Sequence, residues 1–326
     1  MKKCIIAVVV LLSVTHAMAF PTLKKDPVYR EARRNGAQAK IELHVAEDDG
    51  TPVADAKIKA YLGMNFRPKG TWVNGTTDTN GVFVLEGKTC GDEIEVFVTK
   101  DGYYKSHVEY CYAMMGEEHD VKDGKWQPYG AEEKIVLRPI KNPLEAMRCS
   151  NERRYRFTER ICEWIGFDIA ENDFVAPFGK GETSDFEVFL DWDGKRLDCE
   201  RIGFKVRFTQ PYSGYYEVPI EGESELTTPY SVMPNMSYSQ TAEFCDKRDG
   251  KRIGDNFDKS KCWVVRSRCR MDAKGELTAN YTVVRFLGIS GSSEGKAGFC
   301  FMGAFNPTPN DTNLEPMSDA VRNALK

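Results

Sequence analysis

Apolar and polar residues begin to alternate at Ala39, where Ile41, Leu43 and Val45 share one parity. A period of two places every second side chain on the same face of a strand, so we predict a strand that ends at the turn Asp48-Asp49-Gly50. The same pattern predicts further strands at 58–62, 82–85, 94–98, 108–110 and 135–137. About seven short strands in roughly 100 residues are typical of a β-sandwich.

A second series of strand-like runs follows in the C-terminal half. We predict strands at 186–190, 202–208, 215–220, 262–269, 281–286 and 298–305. Hairpin-type turns lie between or near them at Asp193-Gly194, Asp249-Gly250 and Lys274-Gly275. The only helix that this half suggests is a turn or two after Ser318. The predicted fold class is therefore all-β, with a seven-stranded Ig-like β-sandwich followed by a larger β-sandwich or barrel-like domain.

Between and before these series the pattern is weaker. Residues 20–38 are polar without a clear period, which indicates a tether. The charged stretch 149–163 fits one strand or one helix, and periodicity does not decide between them. The predicted organisation is a signal peptide at 1–19, a tether at 20–38, a β-sandwich at 39–140, a connector at 141–164 and a β-rich domain at 165–326.

Three segments of the first β-region carry a family resemblance: DGTPVADA at 49–56, TDTNGVF at 77–83 and VTKDGYY at 98–104. Residues 39–138 resemble carboxypeptidase regulatory-like (transthyretin-like) domains. The resemblance implies a seven-stranded sandwich that serves secreted and envelope proteins as an accessory unit without catalytic residues. The segments at 173–181 and 305–315 are similar to parts of uncharacterised secreted bacterial proteins that carry such a domain, which implies a bacterial envelope origin.

The first nineteen residues have the three parts of a secretory signal. Lys2 and Lys3 precede an apolar run at 4–14, and Ala17 and Ala19 provide the small residues of a cleavage site. We expect an exported protein, periplasmic or secreted, that is cut after Ala19. The apolar run is too short to cross a bilayer, and no other stretch approaches eighteen apolar residues, so we predict no membrane span.

The charge of the chain and its cysteines bear on two further properties, nucleic-acid binding and disulfide formation. The chain has 45 basic and 49 acidic residues without a basic block, which gives no electrostatic footprint for nucleic acid. One of the ten cysteines lies in the signal, and the other nine indicate disulfides in an oxidising compartment. The disulfide candidates are Cys90 with Cys111, at the ends of neighbouring strand-like runs, and Cys245 with Cys262, which would close an acidic loop.

No catalytic residue is predicted. The run 291–295 matches G-x-S-x-G, but this motif needs a strand-to-helix turn and a later histidine, and no histidine follows His119. A hairpin loop explains the run better. The alternative that stays open is a carboxylate-based hydrolase of envelope polymers in the C-terminal domain, since paired acids need no histidine.

Metal and cofactor sites are likewise not predicted. His107, Glu109 and Cys111 would share one face of a strand, near Met114, Met115 and His119, and this set suits copper. A disulfide at Cys111 would remove its thiolate, so we prefer a strand end with surface histidines. The acidic loop 246–258 does not match the spacing of an EF-hand, and ordinary polar turns explain it.

Aromatic residues beside polar turn residues are the remaining candidates for binding. Rings of this kind hold sugars through their apolar faces, with hydrogen bonds from neighbouring polar groups. The candidates are Trp72, Trp126, Tyr129, Trp192, Tyr212 and Tyr215. We therefore expect a non-enzymatic binding or structural module that contacts polysaccharide or envelope proteins through its β-domains.

Overall fold

Strands dominate the described chain. The computed structural model describes residues 27–63, 70–112, 121–145, 148–156, 162–193, 200–220, 224–293 and 296–317. These residues belong to two compact units: the first holds the described parts of 1–46, 52–98 and 107–135, and the second holds those of 47–51, 99–106 and 136–326. The predicted all-β fold class is confirmed, because strands are arranged in four mainly antiparallel sheets.

In the residues that the structure describes, the first unit contains one helix and nine strands. They are α1 (Pro27–Asn35), β1 (Ala37–Ala46), β2 (Lys57–Leu62), β3 (Thr71–Thr76), β4 (Val82–Thr89), β5 (Glu93–Thr99), β6 (Ser106–Cys111), β7 (Val121–Lys122), β8 (Lys125–Trp126) and β9 (Ala131–Val136). One sheet has the order β3-β2-β5-β6, and the other has the order β4-β1-β8-β7 with β9 also paired to β1.

The two sheets of this unit form a sandwich, because alternate side chains along their strands are buried. In β1, Ile41 and Leu43 are fully buried while their sequence neighbours are half-exposed. The buried parity of β2 and β5 is equally regular. A Cβ placed on Gly87 of β4 would lie 2.4 Å from Cδ1 of Leu62 in β2, so the two sheets touch through the core. Burying an aliphatic side chain of this size contributes about 1.5–3 kcal/mol.

Helix α1 occupies part of the segment predicted to be a tether. The hydroxyl of Tyr29 donates to Asp92 at 2.9 Å, and Arg33 donates to the same carboxylate at 2.6 Å. The Tyr29 ring also packs edge-on against Trp126, with 5.9 Å between ring centres. The sequence pattern gave no sign of this helix because only Tyr29 and Ala32 are buried in it, too few to form an apolar stripe. It is too short to cross a membrane, as are any other helices among the described residues.

The described part of the second unit contains eleven strands. They are β10 (Arg148–Arg156), β11 (Trp164–Asp168), β12 (Asp173–Phe174), β13 (Phe186–Trp192), β14 (Ile202–Arg207), β15 (Gly214–Pro219), β16 (Thr241–Arg248), β17 (Lys251–Asp255), β18 (Lys261–Met271), β19 (Leu277–Ser293) and β20 (Lys296–Asn306). The orders are β10-β20-β19-β18-β15 in one sheet and β12-β11-β13-β14-β16-β17 in the other.

Aromatic side chains fill the core of this larger sandwich. The ring centre of Phe167 in β11 lies 5.3 Å from that of Phe186 in the same sheet and 5.3 Å from that of Phe299 in the other sheet. In the stretch 149–163, for which periodicity allows a strand or a helix, residues 149–156 belong to strand β10. The acidic loop 246–258 is largely the hairpin of β16 and β17, turning at Asp249-Gly250.

The two predicted disulfides are wrong. The thiol of Cys111 is free, as are those of Cys245 and Cys262. Cys90 follows β4 and is buried, whereas Cys111 ends a strand of the other sheet and is exposed. Cys245 and Cys262 also belong to different sheets, and Cys262 packs with Tyr216 and Leu314 rather than in the core between the sheets. Proximity in the chain gave the wrong pairs because successive strands change sheets.

Candidate ligand-binding face

Two aromatic residues of the first unit, Tyr61 and Phe97, lie on the outward side of strands whose other outward residues are mainly charged. In β2 the outward positions are Lys57, Lys59 and Tyr61, and in β5 Phe97 shares the outward parity of Glu93 and Glu95. These positions alternate with buried aliphatic residues, so the rings stand on the outer face of the four-stranded sheet.

Each of the four strands contributes one ring to this face. Trp72 of β3 pairs with Tyr61 of β2, and their ring centres are 5.0 Å apart. The ring centres of Trp72 and Phe97 are 6.2 Å apart. Phe97 in turn stacks on His107 of β6, with 4.4 Å between the ring centres and an interplanar angle of 8°. We call these four residues the aromatic band. Trp72 is its most accessible member, with 44% of its surface exposed.

Charged and polar side chains border the aromatic band on the same face. The ammonium of Lys59 lies 4.2 Å from the centre of the Trp72 ring, within the range of a cation–π interaction. Asn74 pairs with Lys59 across β2 and β3, and Glu95 and Glu109 are exposed on β5 and β6. The face thus offers rings in one row, with hydrogen-bond donors and acceptors in the next.

The backbone beside Tyr61 fixes the position of its ring. A Cβ on Gly70 would lie 2.1 Å from Cζ of Tyr61, so the ring lies directly against the Gly70 backbone. A side chain at this position would displace the ring. Rings held in place before a ligand arrives lose less conformational entropy on binding, which favours affinity.

The binding candidates predicted from the sequence do not form one site. Trp72 belongs to the aromatic band. Trp126 and Trp192 are 0% and 2% exposed, so their rings pack the cores and cannot hold a surface ligand; these two predictions are corrected. Their neighbours in the sequence are polar, but their own parity on the strand is the buried one.

The three tyrosine candidates lie elsewhere. Tyr129 donates to Glu86 of β4, with Lys125 4.7 Å from its ring centre. Tyr212 is 53% exposed in the turn before β15. Tyr215 is half-buried and stacks on Trp263 at 3.7 Å. Tyr129 is not a member of the aromatic band, and Tyr212 and Tyr215 belong to the second unit. The other members of the band, Tyr61, Phe97 and His107, were not predicted as aromatic binding residues.

The most deeply buried carboxylate pair described in the second unit is bound by an arginine. Asp168 and Asp185 both accept hydrogen bonds from Arg268, at 2.6 Å from Nη2 and 3.0 Å from Nε respectively. Asp168 also accepts the backbone N–H groups of Ala170, Glu171, Glu182 and Thr183. The cluster ties the chain around β12 to β18, and its oxygens are occupied by these bonds.

The pKa values in this cluster move in opposite directions. Burial raises the pKa of Asp185 above its ordinary value, although Arg268 opposes the shift. Burial also acts on Asp168, but the backbone N–H groups and Arg268 together hold its pKa below the usual range. The geometry is that of a structural ion triad, in which a cation and backbone donors compensate two buried charges.

The other chemical candidates can be placed in part. His107, Glu109 and Cys111 do share the outward parity of β6. In the described part of the chain no three potential ligands converge on a metal position. Met114, Met115 and His119 lie outside the described residues, as does any helix after Ser318. In the run 291–295, Gly291, Ser292 and Ser293 belong to β19, and the other two residues lie outside the described part of the chain. Strand β19 pairs antiparallel with β20 up to Ser293 and Lys296, so Ser293 ends a strand of a hairpin rather than lying at a strand-to-helix turn.

Comparison with known proteins gives little. No protein-family model and no curated protein matches the chain. It is similar to 3-chlorocatechol 1,2-dioxygenase of Rhodococcus opacus 1CP at 14% identity, covering 32% of this chain and 61% of that one, with a TM-score of 0.25. It spans 57% of a hydroxyquinol 1,2-dioxygenase of Pseudomonas putida DLL-E4, at 16% identity over 32% of its own length and a TM-score of 0.24.

A pilin structure is similar over more of the chain. A variant of the shaft pilin SpaA of Lactobacillus rhamnosus GG is 10% identical, covering 71% of this chain and 86% of that one, with a TM-score of 0.21. Since all three TM-scores are below 0.5, none of these similarities supports a shared architecture or activity.

Proposed function

We propose that this protein is an exported, non-enzymatic binding module that holds a glycan on the aromatic band. The observation that carries the proposal is a continuous row of four rings on an outward sheet face, with Trp72 44% exposed. Burial in a core accounts for aromatic residues at the inward parity, but it does not account for Tyr61 and Phe97 at the outward one.

Glycans have the surface that matches this face. A sugar ring presents an apolar C–H face and a rim of hydroxyl groups that both donate and accept hydrogen bonds. Trp72 supplies the apolar surface. Lys59 and Asn74 supply donors beside it, and Glu95 and Glu109 supply acceptors.

A protein partner fits the same face less well. The centre of a protein–protein interface is apolar and depleted of charged residues. Here the row of rings is one residue wide, and the positions two residues away on β2 and β5 are Lys59 and Glu95. A partner protein would have to desolvate these charges in order to cover the rings.

The cellular setting follows from the sequence. The signal-like N-terminus supports export, and the three segments that resemble carboxypeptidase regulatory-like domains support an accessory role for the first unit. We infer that the first unit holds a polysaccharide of the envelope or its surroundings.

An array of immobilised glycans, probed with the mature chain that starts at Phe20, tests the proposal. We expect saturable binding to a group of related glycans, without release of shortened products. An array with no positive glycan would contradict the proposal, and shortened products would favour the hydrolase instead.

A further inference from the structure

A groove lies on the outer face of the six-stranded sheet in the second unit. Its volume is about 290 Å³, which suits one ring-sized group. The residues that line it are Trp164, Lys205, Val206, Arg207, Thr241, Ala242 and Glu243. The site is separate from the aromatic band and goes beyond the proposed function.

Arg207 is held in a fixed orientation at this groove. Its guanidinium lies 4.0 Å from the centre of the Trp164 ring, and its Nε donates to Glu187 at 2.5 Å. Among the described residues its terminal amino groups have no hydrogen-bond partner. A guanidinium that is held at one face by a ring and at Nε by a carboxylate, with both terminal amino groups left over, is arranged to bind a second carboxylate.

The strand register brings complementary groups next to Arg207. Lys205 pairs across the strands with Phe189 on one side and Glu243 on the other, while Arg207 pairs with Thr241. Lys205 and Glu243 form an ion pair at 3.3 Å, and their side chains are 36% and 49% exposed. Such an exposed pair contributes little to stability, so a ligand can replace it at small cost.

We propose that this groove binds a single uronic acid unit. The carboxylate is held by Arg207 and by Lys205, and the part of the Trp164 indole that Arg207 leaves uncovered lies against the C–H face of the sugar. Glu243 and Thr241 accept hydrogen bonds from the sugar hydroxyls. The acid and the hydroxyl groups must sit on one ring, because the groove is too small for more.

Calorimetric titration of the full mature chain with glucuronic acid and with its uncharged methyl ester tests this proposal. We expect the acid to bind more tightly than the ester. Arg207→Gln should weaken binding of the acid at least about tenfold, the usual effect of losing a charged hydrogen bond. Arg207→Lys keeps the charge without the planar fork and should give an intermediate loss.

Arg201→Gln is the matched control. Arg201 bonds Asp191 through its Nε at 2.5 Å, as Arg207 bonds Glu187, but it does not line the groove. We expect this variant and Trp72→Ala to bind the acid normally. Equal affinity for acid and ester, an unchanged Arg207→Gln or an equal loss in Arg201→Gln would overturn the proposal. Loss in Trp72→Ala alone would assign the acid to the aromatic band and would also overturn it.

Discussion

At the scale of single residues, Arg268 is the side chain on which most buried charge depends. It compensates Asp168 and Asp185, whose side chains are 3% and 0% exposed. Removing the cation of a buried ion cluster leaves the two carboxylates without a compensating positive charge. The cluster also joins chain segments that are distant in sequence, so its loss should be felt by the whole second unit.

We therefore expect Arg268→Met to lower the free energy of unfolding by about 3–5 kcal/mol at pH 7. Without the arginine, the pKa of Asp185 in the folded state should rise further above its unfolded value of about 3.9. A group with a raised folded pKa stabilises the fold below the unfolded pKa, and this stabilisation is lost as pH rises through the folded pKa. The deficit should therefore shrink as pH falls towards 4.

Urea denaturation of both proteins at pH 7 and pH 4.5 measures this difference. Arg270→Met is the control, because Arg270 is exposed on the same strand. It should change the free energy of unfolding little at either pH. A deficit for Arg268→Met that stays constant or grows as pH falls would argue against the buried charges as its cause.

At the scale of elements, turns determine how the first sandwich is joined. Gly81 follows Asp78, whose carboxylate accepts the N–H groups of Asn80 and Val82. Gly81 has a φ of +74°, and a Cβ added to it would lie 2.3 Å from the carbonyl oxygen of Val45. Because the Val45 N–H also donates to Gly81 O at 2.8 Å, β1 cannot move away without breaking this bond.

Gly81→Ala should therefore destabilise the first unit by about 1–3 kcal/mol, through strain in the turn and displacement of β1. Gly124→Ala is the matched control. Gly124 has a similar φ of +71°, but nothing lies within 4 Å of an added Cβ, so only the cost of the backbone conformation remains. Equal losses in thermal unfolding would show that contact with β1 is unimportant.

The burial pattern of each strand explains which strands could be predicted from the sequence. Period-two alternation identified β1, β2 and β5, because each buries one parity against the core. It missed β3, which has no fully buried residue. It predicted the turn at Asp249-Gly250 but not the two strands that this turn joins, β16 and β17, whose many charges suggested a loop. Part of the aromatic band could have been predicted, because Tyr61 and Phe97 are aromatic residues at strand positions where the other outward residues are charged. Their contacts with Trp72 and His107 depend on the order of the strands in the sheet. The pattern of residues within one strand does not determine that order.

At the scale of the whole molecule, the proposed function requires that the chain is exported. If the full-length chain is expressed in a bacterial host, N-terminal sequencing of the exported material should give Phe20 as the first residue. Ala17 and Ala19 set this position, since a signal peptidase accepts small residues there. Material from the cell envelope that still begins at Met1 would contradict a cleaved signal.

Trp72, the most exposed ring of the aromatic band, provides the most direct test of glycan binding at this face. Titration of the array-selected glycan into the Trp72→Ala protein should show an affinity at least about tenfold weaker, as expected for the loss of an aromatic anchor. Tyr212→Ala, which removes a ring of similar exposure from the second unit, should bind like the unaltered protein. Unchanged affinity in Trp72→Ala, with the protein folded, would contradict the claim.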